Sequence, residues 1–218
     1  MTYEKERQRI LETCRQMQAR EYFLGTWGNV SMRVGEHIIL TPSRVDYDTM
    51  RPEDMVVIDL AGNKLEGERN ATSEKEVHRQ IYVKRPDIGA VVHAHTKKCM
   101  AVSATEVREV PCITEEMSQL LGGAIPLTLG YVPAGEHAKL GEAAAHVIGE
   151  KMGVILRNHG PVACGKDIDE AILVTKAMEK ACDIYLSIMT RARIEEIPAC
   201  YAESERYRFL HTYGNEPT

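Results

Sequence analysis

The stretch Ile88-Gly89-Ala90-Val91-Val92-His93-Ala94-His95-Thr96 sets the strongest condition on how this chain folds. Its apolar run has the character of a buried strand, so the rest of the chain must cover it. Side chains alternate across a strand, which sends His93 and His95 toward the same side. Two imidazoles side by side at a strand end can share one divalent metal, or can sit there as half-buried structural histidines.

The sequence on either side alternates between hairpin and helix signals. Residues 3–20 read as an amphipathic helix with Ile10, Leu11, Cys14 and Met17 on one stripe. Gly25-Thr26-Trp27-Gly28-Asn29 breaks it. Segments 30–34 and 37–40 flank Gly35-Glu36, a hairpin with a two-residue turn. Segments 55–59 and 64–66 make a second hairpin around Ala61-Gly62-Asn63. Ser73 and Glu76 have capping-box spacing and open a helix over about 74–85, which Pro86 ends. Beyond the two histidines the pattern predicts a short helix over 98–104 and a strand over 110–114. A helical turn over 115–121 follows, stopped by Gly122-Gly123, then a strand over 127–129 and a helix over 136–148. A second apolar strand runs through Val154-Ile155-Leu156 into the polar turn Asn158-His159-Gly160, and 161–164 returns as its partner. Asp167 and Glu170 repeat the capping-box spacing and open a long helix reaching about 193; a short helix over 202–213 closes the pattern. Hairpins mixed with helices predict an α/β layered domain with a largely antiparallel sheet. No linker or internal repeat divides the 218 residues, so 1–218 is read as one domain.

Composition removes several classes of function. The formal net charge of -5, with no basic run or stripe, argues against nucleic acid as a partner. No apolar stretch reaches the roughly 18–20 residues of a membrane span. The first seven residues are charged and lack a signal-peptide core. Cys14, Cys99, Cys112, Cys164, Cys182 and Cys200 are scattered, with no Cys-x-x-Cys, which fits reduced thiols in a cytoplasmic protein.

Three features join the histidine pair as candidates for chemistry. His159 ends an apolar strand and would complete a three-histidine set that leaves a coordination position open. Glu74 opens a helix but is not used by the capping box. Its carboxylate is either a favourable charge at the helix start or a fourth ligand and general base. Thr26, Asn29, Thr41, Ser43, Thr72 and Ser73 are small polar residues at turns; Thr72-Ser73 precedes a helix, where free N–H groups attract phosphate. His78 has no matching partner in the sequence and reads as structural.

In their order and spacing these pieces resemble the class II aldolase and adducin-head family, on the side of its L-fuculose-1-phosphate aldolases. The matching residues are Gly25-Thr26-Trp27-Gly28-Asn29-Val30-Ser31, Thr41-Pro42-Ser43, Thr72-Ser73-Glu74, His93-Ala94-His95, Asn158-His159-Gly160 and His211-Thr212-Tyr213-Gly214. The resemblance implies a three-layer α/β/α domain and a homotetramer with the site at a subunit interface. It implies zinc, with manganese or cobalt as substitutes, on His93, His95, His159 and Glu74. Glu74 would leave the metal to serve as base when substrate binds. Thr26, Asn29, Ser43, Thr72 and Ser73 would hold the substrate phosphate, and Tyr213 would reach a neighbouring subunit's site. The implied reaction is cleavage of a phosphorylated ketose, such as L-fuculose 1-phosphate or a related deoxy-pentulose 1-phosphate. It would give dihydroxyacetone phosphate and an aldehyde through a metal-stabilised enediolate.

Two positions depart from that pattern. Arg44 replaces the glycine whose backbone N–H faces phosphate in the aldolases. It either adopts the same backbone angles, adds a guanidinium contact, or points to solvent. Glu116 stands where the aldolases carry an acid/base tyrosine, and Glu116-Met117 looks like methylthioribulose-1-phosphate dehydratase. As a proton donor it would need partial burial and a raised pKa. The resemblance therefore leaves a dehydratase and a pentulose-phosphate 4-epimerase as alternatives on the same scaffold, with a non-catalytic adducin-like interaction domain further off.

Overall fold

A computed structural model describes residues 1–191 and 193–213. The helices are α1 Glu4–Ala19, α2 Lys75–Lys84, α3 Lys97–Ser103, α4 His137–Ile148, α5 Ile168–Ile188 and α6 Ala199–His211. The main-sheet strands are β1 Asn29–Val34, β2 His37–Leu40, β3 Val56–Asp59, β4 Lys64–Glu66, β5 Ala90–His93, β8 Gly153–Ile155 and β9 Pro161–Gly165. Two short strands, β6 Glu109–Val110 and β7 Ile125–Pro126, pair separately.

The seven strands of the main sheet lie in the order β4-β3-β2-β1-β5-β9-β8, and every neighbouring pair is antiparallel. The apolar strand that ends in His93, β5, is therefore near the middle, between β1 and β9. Residue alternation divides the two faces. Ile38, Leu40, Val56, Ile58 and Val91 point into the core shared with α2 and α4. Ile39, Val57, Ala90 and Val92 point into the core shared with α1 and the start of α5. This is the expected α/β layered arrangement. Among the described residues no helix is long and apolar enough to cross a membrane. The six cysteines are free thiols, five buried and Cys200 exposed.

Local expectations fail where a tertiary contact outbids the local one. The Ser73–Glu76 capping box does not form, because the Glu76 carboxylate goes to Arg79 at 2.7 Å. Thr72 supplies the turn instead, its carbonyl accepting from the Lys75 N–H, so Glu74 becomes the residue before the helix rather than its first. At α5 the expected cap is half present. Asp167 accepts from the Glu170 N–H, while the Glu170 carboxylate reaches the Lys166 N–H, one residue early. That helix ends at Ile188, short of 193. The strand expected over 110–114 shrinks to β6, and the turn over 115–121 is a π turn, Met117–Leu121, closed by two positive-φ glycines. The strand expected over 127–129 moves back to β7, with Leu127 making one parallel bridge to Ile155.

Candidate metal centre

Five loops, among them the 26–28, 42–44, 68–73 and β8–β9 segments, meet beside the end of β5 at a cavity of about 900 Å³. His93 closes β5 and is wholly buried. Its Nδ1–H donates to the Pro161 carbonyl at 2.9 Å, across the β5–β9 seam. That bond commits the ring to one tautomer and leaves the Nε2 lone pair facing His95 and Glu74. His95 follows two residues later, its N–H held by the Tyr22 carbonyl at 3.0 Å and its ring stacked on Trp27. His159 comes from the β8–β9 turn. Asn158, in the left-handed region at φ 54°, bends the chain there, and Gly160 lets the turn press on β5. A Cβ at Gly160 would stand 2.4 Å from the Ala94 carbonyl oxygen.

The three imidazoles converge. Their ring centroids are 4.8–5.0 Å apart, and one nitrogen from each lies within 4.8 Å of the others. His93 Nε2 is 3.2 Å from His95 Nε2 and 3.3 Å from Glu74 Oε2; His159 Nε2 is 3.0 Å from Glu74 Oε1. Burial pushes His93 down to about 4, opposed by the Glu74 charge. Burial, then the neighbouring imidazoles, push His95 down to about 3. Burial works to raise the Glu74 pKa, but His93, His159 and a hydrogen bond from Asn29 overcome it and hold the carboxyl well below its ordinary range. The three imidazoles and the Glu74 carboxylate thus converge on one point. That donor set, one nitrogen from each of three imidazoles and a carboxylate within reach, suits a divalent cation.

The wall of the cavity carries most of the small polar residues picked from the sequence. The Thr72 N–H to Thr41 carbonyl and Ser43 N–H to Asn70 carbonyl bonds zip the 41–44 and 70–73 loops together. Thr26, Ser43, Arg44, Thr72 and Ser73 all line the cavity. Arg44 sits at φ 57°, so it does adopt the backbone region a glycine would use, with its side chain exposed. Asn29 also lines the cavity, and its amide is engaged at both ends. It donates to Glu74 Oε2 at 2.7 Å, and its Oδ1 meets His78.

Two expected residues are not brought to this cavity within the chain. Glu116 is exposed and ion-paired with Lys180. Instead of the expected raised pKa, the Lys180 hydrogen bond holds Glu116 below the usual carboxylate range. Tyr213 follows α6, is exposed, and packs on Phe209 under the Arg208 guanidinium. Gly214, its neighbour in the tail motif, lies outside the described residues. Sequence reasoning passed over Trp27, an exposed aromatic inside a glycine-bracketed turn at the cavity mouth, and Arg69, which lines the cavity opposite. His78, which reads as structural and without a partner in the sequence, is fully buried and has partners in Ser31 and Asn29.

The model of the Class II Aldolase and Adducin N-terminal domain matches residues 8–186. An L-fuculose phosphate aldolase of Methanococcus maripaludis is 34% identical over 175 residues, 80% of this chain and 93% of that protein. One of Haemophilus influenzae is 32% identical over 209 residues, 95% of this chain and 94% of that protein. A solved L-fuculose 1-phosphate aldolase superposes with a TM-score of 0.90 at 25% identity, covering 96% of this chain and 98% of the other. With that reach of similarity over a matching fold, the chain belongs to the class II aldolase and adducin N-terminal domain family.

Proposed function

We propose that this protein is a metal-dependent aldolase that cleaves a phosphorylated ketose to dihydroxyacetone phosphate and an aldehyde. The observation that carries the reading is the Glu74 carboxylate, held between His93 and His159 at the inner end of a polar cavity. His93, His95, His159 and Glu74 are the proposed ligands, and their nitrogen and oxygen donors suit zinc, with manganese or cobalt as substitutes. A divalent cation there would supply Lewis-acid stabilisation of negative charge gathering on the ketose oxygens.

The chain's own residues supply the rest. Thr26, Ser43, Thr72 and Ser73 would hold the phosphate through hydroxyls and loop N–H groups, with the Arg44 guanidinium beside them. That remote binding would set the reacting carbons beside Glu74. As the carbon–carbon bond breaks, its electron pair passes into an enediolate and the departing half becomes an aldehyde, losing its hydroxyl proton. Glu74, kept ionised, would carry the proton for the enediolate carbon. Glu116 and Tyr213 are proposed to handle the aldehyde-oxygen proton from a neighbouring subunit, in a homotetramer. Free thiols throughout suit a reducing cytoplasm.

The test is a product screen by mass spectrometry on L-fuculose 1-phosphate and related deoxy-pentulose 1-phosphates. The expected result is dihydroxyacetone phosphate plus an aldehyde, abolished by a chelator and restored by zinc. A diketone phosphate as the only product would make the protein a dehydratase, and a stereoisomer as the only product would make it an epimerase.

A further inference from the structure

Helix α2 and the residue before it present Glu74, His78 and Tyr82 at four-residue spacing. Strand β1 presents Asn29 and Ser31 two residues apart on the face that meets them. All five residues are buried, and their polar atoms form one unbroken column. Tyr82 Oη lies 2.8 Å from Ser31 Oγ, and Ser31 Oγ lies 2.7 Å from His78 Nδ1. His78 Nε2 meets Asn29 Oδ1, and Asn29 Nδ2 meets Glu74 Oε2 at 2.7 Å.

The direction of each bond follows from the set of the Asn29 amide, whose Nδ2 lies against Glu74 and donates to it. Its amide oxygen then faces His78 and needs a donor, which must be Nε2–H. A neutral ring with its proton on Nε2 can only accept at Nδ1, so the Ser31 hydroxyl donates there, and the Tyr82 hydroxyl donates to Ser31 at Oγ (2.8 Å) or at its carbonyl (3.1 Å). Burial keeps His78 neutral, pushing it down to about 4 against the pull of Glu74. From Glu74 through Asn29 and His78 to Ser31, these roles leave a single self-consistent arrangement.

We propose that His78, which lines no part of the cavity, is a positioning residue that fixes which end of the Asn29 amide meets Glu74. With the amide reversed, Oδ1 would face the carboxylate at hydrogen-bond distance, acceptor against acceptor, and Glu74 would be driven off its place between His93 and His159. The role assigned to Glu74 rests on the aldolase reading; the hydrogen-bond polarity does not.

Three measurements test this. In the intact wild-type protein, nitrogen NMR of ring-labelled histidine should show His78 protonated at Nε2 and bare at Nδ1. A proton on Nδ1 alone, or on both nitrogens at neutral pH, overturns the proposal. Next, zinc affinity is measured by competition with a chromophoric chelator, and turnover on the phosphorylated ketose is measured alongside. His78→Met, which fills the space but donates nothing, should weaken zinc binding or lower kcat by about 10–100-fold with KM little changed. His78→Gln, whose amide N–H can replace Nε2–H, should recover to within a few-fold. Equal losses in both variants, or losses that follow only the thermal midpoint, would mean a packing role and overturn it. If the aldolase reading is wrong there is no ketose turnover to compare, but the ring tautomer and the zinc affinities still decide the case for His78.

Discussion

At the scale of single residues, the centre works through what each ring nitrogen is not free to do. His93 spends Nδ1–H on Pro161, so only Nε2 can bind a ligand, and it is already aimed. His95 has the weakest support of the three, held by one backbone bond and the Trp27 face. Removing it leaves two imidazoles and a carboxylate, one donor short of the set. His95→Ala is expected to lower metal content from about one ion per chain toward zero, read by elemental analysis, with turnover lost in parallel. Full metal content in that variant would rule out His95 as a ligand. The three histidines and Glu74 were picked out in the sequence by the order and spacing of the motifs that carry the family resemblance, and the fold brings them together. His78 was not, since its partners Asn29 and Ser31 lie 49 and 47 positions away. The only local sign was its place four residues after Glu74, matched to two polar residues on an alternating strand.

At the scale of elements, α2 decides where Glu74 stands, and α4 decides where α2 stands. The two helices cross at Gly141, where a Cβ would lie 2.5 Å from the Glu76 carbonyl oxygen. That oxygen is backbone and cannot swing aside. Gly141→Ala should therefore push the first turn of α2 outward, despite alanine's better helix propensity. We expect a loss of roughly 1–3 kcal/mol in denaturant unfolding, together with weakened metal binding, because Glu74 moves with that turn. An unchanged or raised stability would show that the helices separate without cost. Hairpins and long helices were readable from period and turn chemistry, whereas the start of α2 was not. Spacing alone cannot reveal that Arg79 takes the Glu76 carboxylate from the cap.

At the scale of the whole molecule, two properties follow. Glu116 and Tyr213 are exposed outside the cavity of their own chain, so their proposed roles require a second copy. Chains carrying His95→Ala and chains carrying Glu116→Gln should each be nearly inactive, yet regain part of the activity when unfolded and refolded together. No recovery on mixing would confine the site to one subunit. The second property is acid sensitivity of the metal-free protein. His78, His93 and His95 ordinarily titrate near 6.5 but are pushed down to about 4, 4 and 3 when folded. Below pH 6.5 the unfolded chain takes up protons that the folded chain refuses, so stability falls as pH drops from 6.5 toward 4. The thermal midpoint of the metal-free protein should be several degrees lower at pH 5 than at pH 7.5; a flat profile would contradict the burial of these rings.

The bond from His93 to Pro161 spans 68 positions of chain. Closing a loop of that length costs roughly 4 kcal/mol before any contact across it repays the loss. β5 and β9 can pair only after the segment between them has been gathered in, so the three imidazoles cannot meet until late in folding. An ion that needs all three has little to hold in the chain before then. Its binding should leave the refolding rate nearly untouched and slow the unfolding rate, which stopped-flow measurements with and without zinc would separate. The centre would then set the lifetime of the finished protein rather than the speed at which it forms.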